Sequence, residues 1–115
     1  MRFMITFRHF LDSGWDQLDE AERQRVMQRH EEFTTALREE QSTELVFLAP
    51  PEEAKTVRGR RGGEQEVIDG PYSNAGEYVG GYYIVEVDSM DEAVEWGRRG
   101  RYMIGHNEIR QIIDP

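Results

Sequence analysis

Residues 2–8 carry Phe3, Ile5 and Phe7 at every second position. A period of two places these side chains on one face of a strand. A loop holding Asp12, Ser13, Gly14 and Trp15 follows, and from about Asp19 to Glu40 the pattern is helical. Val26, His30, Phe33 and Leu37 stand at offsets of 0, 4, 7 and 11 and share one face, while Arg23, Glu31, Glu32, Arg38 and Glu39 mostly turn outward. Asp19, with Glu22 three residues on, has the form of a capping box.

Glu44 to Ala49 reads as a second strand, stopped by Pro50-Pro51. Ala54–Gly59 and Gln65–Asp69 form two short strands, joined by Arg60-Arg61-Gly62-Gly63-Glu64 as a hairpin with Gly at its turn. Gly70-Pro71 breaks the chain, and a Gly-bearing loop runs to Gly80-Gly81. Tyr82 to Asp88 is the clearest strand. Ser89 and Glu92 then form a second capping box, opening a helix over 90–98 with Met90, Ala93 and Gly97 on one face. Residues 98–106 are irregular, and Glu108 to Ile113 is the last strand.

The order is β-α-β, an inserted hairpin, then β-α-β. Two split halves of this kind predict a ferredoxin-like α+β domain, a single unit over residues 1–115, with both helices on one face of an antiparallel sheet. Strand 82–88 has apolar side chains on both parities: Tyr82 and Ile84 on one, Tyr83, Val85 and Val87 on the other. The face without helices therefore needs cover, and a second copy of the chain is the economical one, predicting a homodimer.

Composition narrows the function classes. With 14 Lys and Arg against 23 Asp and Glu, the net charge is −9, which disfavours nucleic acid and anionic membranes as partners. The absence of Cys excludes a disulfide scaffold, a thiolate nucleophile and a Cys-ligated metal cluster. No run of about 18 apolar residues and no signal-peptide pattern is present, so a soluble, cytoplasmic protein is expected.

Val67-Ile-Asp-Gly-Pro-Tyr72, followed by Gly76-Glu-Tyr-Val-Gly-Gly-Tyr-Tyr-Ile-Val-Glu-Val87, resembles the YCII-related family and in particular its DGPF-motif branch. Asp88-Ser-Met-Asp-Glu-Ala93 with Trp96 is similar to that family's second helix, and Glu108-Ile-Arg110 to its closing strand. Thr56-Val57-Arg58 and His30 also fall at matching positions, and the resemblance covers roughly residues 1–113. Tyr72 replaces the motif's Phe, Ser73-Asn74-Ala75-Gly76-Glu77 keeps only the final acid of the usual acidic loop, and Gln41-Ser42-Thr43 replaces the Gly that commonly ends the first helix. The resemblance implies a dimeric α/β-barrel form of the ferredoxin-like fold and a His–Asp pair of the kind proposed as catalytic in some members. It supplies no established reaction for the DGPF branch, whose members are often encoded beside sigma factors.

His30 has two readings. It is either a core histidine bonded to a backbone carbonyl or water, or an acid–base group oriented by a carboxylate. Asp69 is the candidate partner because it ends a strand just before Gly-Pro, although Asp before Gly is also a common turn former. Tyr72 and Glu77 are placed at the mouth of the same site as ligand contacts. His9 and His106 precede or follow strands that are potential neighbours, but no histidine pair has the spacing of a helical metal site, so no metal and no cofactor is expected. The Gly70–Gly81 loop leads into a strand and carries Glu77, unlike a phosphate cradle. Arg58, Arg60 and Arg61, and Arg98, Arg99 and Arg101, form two local basic patches. Two functions are compatible with these residues: a small-molecule enzyme with lyase- or hydrolase-like acid–base chemistry, and a non-catalytic dimeric ligand-binding or regulatory module, linked by the resemblance to sigma-factor regulation. A short His30–Asp69 contact in an open pocket favours the first.

Overall fold

The structure, a computed structural model, describes residues 1–10, 14–73, 76–101 and 105–114, with His9 and Phe10 described by their backbone alone. The elements in chain order are β1 (Arg2–Phe10), α1 (Glu20–Gln41), β2 (Val46–Phe47), β3 (Lys55–Gly59), β4 (Gln65–Asp69), β5 (Glu77–Glu86), α2 (Met90–Arg99) and β6 (His106–Gln111). Single 3₁₀ turns at Trp15–Gln17 and Pro51–Glu53 lie between them. Asp12 and Ser13 of the first loop, and part of the irregular stretch 98–106, lie outside the described residues.

Four strands form one antiparallel sheet in the order β2-β5-β1-β6, while β3 and β4 pair as a separate hairpin. β1 and β2 both run antiparallel to β5, and β5 and β6 both run antiparallel to β1, so each helix crosses over one intervening strand. The arrangement is α+β and consistent with a ferredoxin-like fold. The odd-numbered residues of β1 and β5 build the core. Phe3, Ile5, Tyr83 and Val85 pack against Phe33 and Leu37 of α1 and Ala93 and Trp96 of α2. Both helices therefore cover the same face of the sheet. The even-numbered face, with Met4 opposite Ile84 and Thr6 opposite Tyr82, has neither helix upon it.

The caps follow the sequence signals with one difference. Asp19 accepts from the Glu22 backbone N–H at 2.8 Å and Glu22 returns the bond to the Asp19 N–H at 3.3 Å, a reciprocal box. At α2, Ser89 accepts from the Glu92 N–H, but the Glu92 carboxylate reaches one residue further back, to the Asp88 N–H at 2.8 Å. Ser42 ends α1 in the left-handed region (φ 51°), the conformation that Gly ordinarily supplies, and its N–H donates to the Arg38 carbonyl.

Strand boundaries differ from the sequence reading most in β2 and β5; β1 also runs on to Phe10, and β6 spans His106–Gln111 rather than Glu108–Ile113. β2 is two residues rather than six, because beyond the Leu48 N–H, which still donates to the Gly80 carbonyl at 2.9 Å, Pro50 and Pro51 have no N–H to give. β5 begins at Glu77 instead of Tyr82, since Gly80 and Gly81 lie within the strand rather than in a loop. Gly62, at φ 76°, makes the hairpin turn.

Candidate functional site

The register of β1 with β5 shifts between Phe7 and Arg8: Phe7 faces Gly81, whereas Arg8 faces Val79. Gly80 is the extra residue of a β-bulge. Side chains alternate along a strand, so one inserted residue reverses the faces of everything beyond it. Without the bulge, Glu77 would share the face of the helices. With it, Glu77 joins Arg8 on the open face, and β6 adds His106 directly opposite Arg8.

Three ionisable side chains from three strands thus meet. His106 Nδ1 lies 3.0 Å from Glu77 Oε1, and Arg8 Nε lies 3.9 Å from the same oxygen. A carboxylate only accepts, so Nδ1 is the nitrogen that carries the proton in the His106–Glu77 bond. Arg8 and Glu77 have side chains 27% and 25% exposed, in contrast with the surface pairs of the hairpin. Arg8 Nε is buried yet has no hydrogen-bond partner, and the Thr6 hydroxyl two residues away on the same face is in the same condition. Buried donors are ordinarily satisfied, and leaving one unmade costs about 1–3 kcal/mol, so the unmade Nε bond is a local cost of this arrangement.

Beside these groups the surface opens into a cleft of about 300 Å³. Arg8, Glu77 and Val79 line it from the sheet; Leu48, Ala49 and Pro51 from the segment after β2; Lys55 and Thr56 from the foot of the hairpin; Pro71, Tyr72 and Ser73 from the loop after β4. Apolar side chains share the wall with polar and charged ones, and the volume is at the small end of the usual range for a small-molecule site. Gly70, at φ 101°, turns the chain out of β4 toward this loop, and its N–H donates to the Ala54 carbonyl at 2.7 Å, closing the foot of the hairpin. The Thr56 hydroxyl donates to the Gly70 carbonyl at 2.9 Å.

The sequence candidates divide between two places. Tyr72 and Glu77 come together in this cleft. Asp69 stands at its edge, 87% exposed, with its carboxylate accepting from Lys55 Nζ at 2.6 Å. His30 lies on the helix side of the sheet, in a separate cleft of about 410 Å³ between α1 and β2, lined also by Thr34, Leu37, Arg38, Leu45 and Phe47. Its ring centroid is 5.5 Å from that of Phe47, whose ring in turn meets Phe7 at 5.7 Å. Among the described residues, no hydrogen bond or ion pair joins His30 to Asp69.

Arg8 and His106, which stand beside Glu77, are candidates that sequence reasoning did not assign. Arg8 reads simply as the end of a strand, and His106 as a rim residue; only the pairing register shows them to be neighbours. The side chain of His9 lies outside the described residues, and among the described residues no group of three metal-ligating side chains assembles. No described helix is long and apolar enough to cross a membrane. Arg58 pairs with Glu66 at 3.3 Å, and Arg99 lies 4.3 Å over the Trp96 ring while bonding Glu40, so these members of the basic patches serve local structure.

The chain is similar to uncharacterized protein R00369 of Rhizobium meliloti (strain 1021), with 37% identity over 51 residues, 44% of this chain and 40% of that protein. It thus matches less than half the length of this relative. The model of the YCII-related domain matches residues 1–114, nearly the full sequence, and the chain belongs to the YCII-related family.

Proposed function

We propose that this YCII-related protein binds a small molecule in the cleft lined by Arg8, Tyr72 and Glu77, and that it belongs to the DGPF branch of its family. The observation that carries this reading is the Arg8 guanidinium set beside Glu77 in the wall of one cleft, whose other charged lining residue, Lys55, is engaged by Asp69. A binding function accounts for that donor directly. Acid–base chemistry at the same cleft is compatible with it, because Glu77 lines the cleft and is held by His106. The alternative catalytic pair, His30 with Asp69, has less support, since Asp69 is engaged by Lys55 and His30 lines the other cleft.

The protein acts as a homodimer in this proposal. The molecule is 19 Å across its thinnest dimension, about one sheet and one helix layer, and Met4, Tyr82 and Ile84 share the sheet face that the helices leave open. Light scattering at micromolar concentration checks the assembly: a species of twice 13.5 kDa is expected, and a monomer at that mass refutes it. The binding reading is tested by a thermal-shift screen against a metabolite library. A ligand present at about 100 times its Kd stabilises the fold by about 2.7 kcal/mol, a rise of roughly 10 °C for a domain of this size. A library in which no compound raises the melting temperature counts against the reading.

A further inference from the structure

Resting on the binding reading above, we propose that the cleft selects a small α-hydroxy or α-amino acid with an apolar side chain, its carboxylate accepting from Arg8 and its α-substituent donating to Glu77. Three observations specify this chemistry. The first is the Arg8 guanidinium, which lines the cleft and is a donor that cannot also accept. A carboxylate is the small-molecule acceptor that a guanidinium fits best, because both groups are planar and can bond through two parallel contacts. The second is Glu77. Its Oε1 takes the His106 Nδ1–H at 3.0 Å and stands 3.9 Å from Arg8 Nε. As a cleft-lining acceptor it repels a lone carboxylate unless the ligand also brings an O–H or N–H for it. Donor and acceptor stand side by side on the same sheet face, so the ligand's own acceptor and donor must be neighbours, as on one α-carbon. The third is the remaining wall: Leu48, Ala49, Pro51, Pro71 and Val79 offer apolar contact, and the other charged lining residue, Lys55, is engaged by Asp69 at 2.6 Å.

His106 is a positioning residue here. Its ring is outside the cleft lining, is 64% exposed, and holds the Glu77 carboxylate from behind. Glu77, pulled between His106 and Arg8, keeps an acceptor position aimed where the ligand's donor arrives. The same arrangement explains why an acidic chain retains a half-buried arginine on an open sheet face: the guanidinium is half-compensated by Glu77 and completed by the ligand.

Three probes of matched shape test this in the full chain by backbone amide NMR titration: 2-hydroxy-4-methylpentanoate, 4-methylpentanoate, which lacks the donor, and 4-methylpentane-1,2-diol, which lacks the carboxylate. The hydroxy acid is expected to move amides of Arg8, Val79 and Ser73, with each truncated probe weaker by roughly tenfold or more, the worth of one hydrogen bond to a charged group. Arg8→Gln should abolish the hydroxy acid's advantage over the diol, and Arg8→Lys, which keeps the charge and guards against a folding defect, should retain part of it. His106→Ala should weaken the hydroxy acid and leave 4-methylpentanoate unchanged, a split that a merely structural role would not produce. Equal responses to the three probes, or no shift of cleft amides by the hydroxy acid, overturn the proposal. Cleft binding of other compounds in the metabolite screen leaves the binding reading standing when this narrower one fails.

Discussion

Gly81 is the position at which one methyl group tests the strand geometry behind the cleft. It lies in β5 opposite both Phe7 and Phe47, with β2 and β1 as its two neighbours. A Cβ built there would stand 2.9 Å from Phe7 Cζ, and closer still to Phe7 Cε2 and the Val46 carbonyl oxygen, whereas ordinary contact begins at 3.4 Å. The ring could rotate only by disturbing its packing on Phe47 and Tyr83, at centroid distances of 5.7 and 6.1 Å. The carbonyl belongs to the backbone of β2 and moves only if that strand leaves the sheet. Overpacking a tight core typically costs about 1–3 kcal/mol, and a backbone clash belongs at the upper end, near 3 kcal/mol. For a domain of this size that lowers the melting temperature by roughly 10 °C. Circular dichroism melts of Gly81→Ala measure it. Gly63→Ala is the control, because its Cβ would meet Arg60 at an ordinary 3.5 Å, and a surface change of that kind stays within about 0.5 kcal/mol. Equal melting temperatures for the two variants would refute the pairing of β2 with β5.

Two further substitutions probe single bonds. Tyr83→Phe removes a buried hydroxyl that donates to the Trp96 carbonyl at 3.0 Å, but that carbonyl also accepts from the Gly100 N–H at 3.1 Å and is not orphaned. The loss should therefore be about 1 kcal/mol, read in urea denaturation, rather than the larger cost of an unsatisfied buried acceptor. The Asp19 carboxyl is held below its usual value of 3.8, chiefly by the Glu22 backbone N–H that it accepts from. A lowered folded-state value means that the carboxylate stabilises the helix above pH 3.8 and that this support is lost as the pH falls through the lower value. Asp19→Ala should lower the melting temperature at pH 7 and shrink the difference from wild type in acid; a pH-independent difference would contradict the cap.

The fold was largely legible because its elements obey local rules. Alternation in β1, the capping residues Asp19 and Ser89, and the Pro50-Pro51 stop all act over a few residues, and the structure keeps them near their predicted boundaries. The glycine pair was harder. Gly80-Gly81 has the composition of a loop, yet Gly81 is required by the close approach of Val46 and Phe7, and Gly80 is the bulge residue. That bulge decides which face Glu77 occupies, and no local pattern reports it. Tyr72 and Glu77 were named together from sequence because the motif that carries them is continuous, and both line the cleft. Arg8 and His106 were not, because their meeting depends on the β1–β6 register across about a hundred residues of chain. His30 was singled out for lying on the apolar face of α1; the structure gives that face to Phe33, Leu37 and a second cleft.

The most direct test is to repeat the metabolite thermal-shift screen on Arg8→Gln and His30→Ala beside the wild type, each against its own unliganded melting temperature. If the cleft between the open sheet face and the hairpin is the binding site, compounds that raise the wild-type melting temperature should lose most of that rise in Arg8→Gln and keep it in His30→Ala. Ligand stabilisation that survives in Arg8→Gln and disappears in His30→Ala would contradict the assignment and move the site to the cleft between α1 and β2.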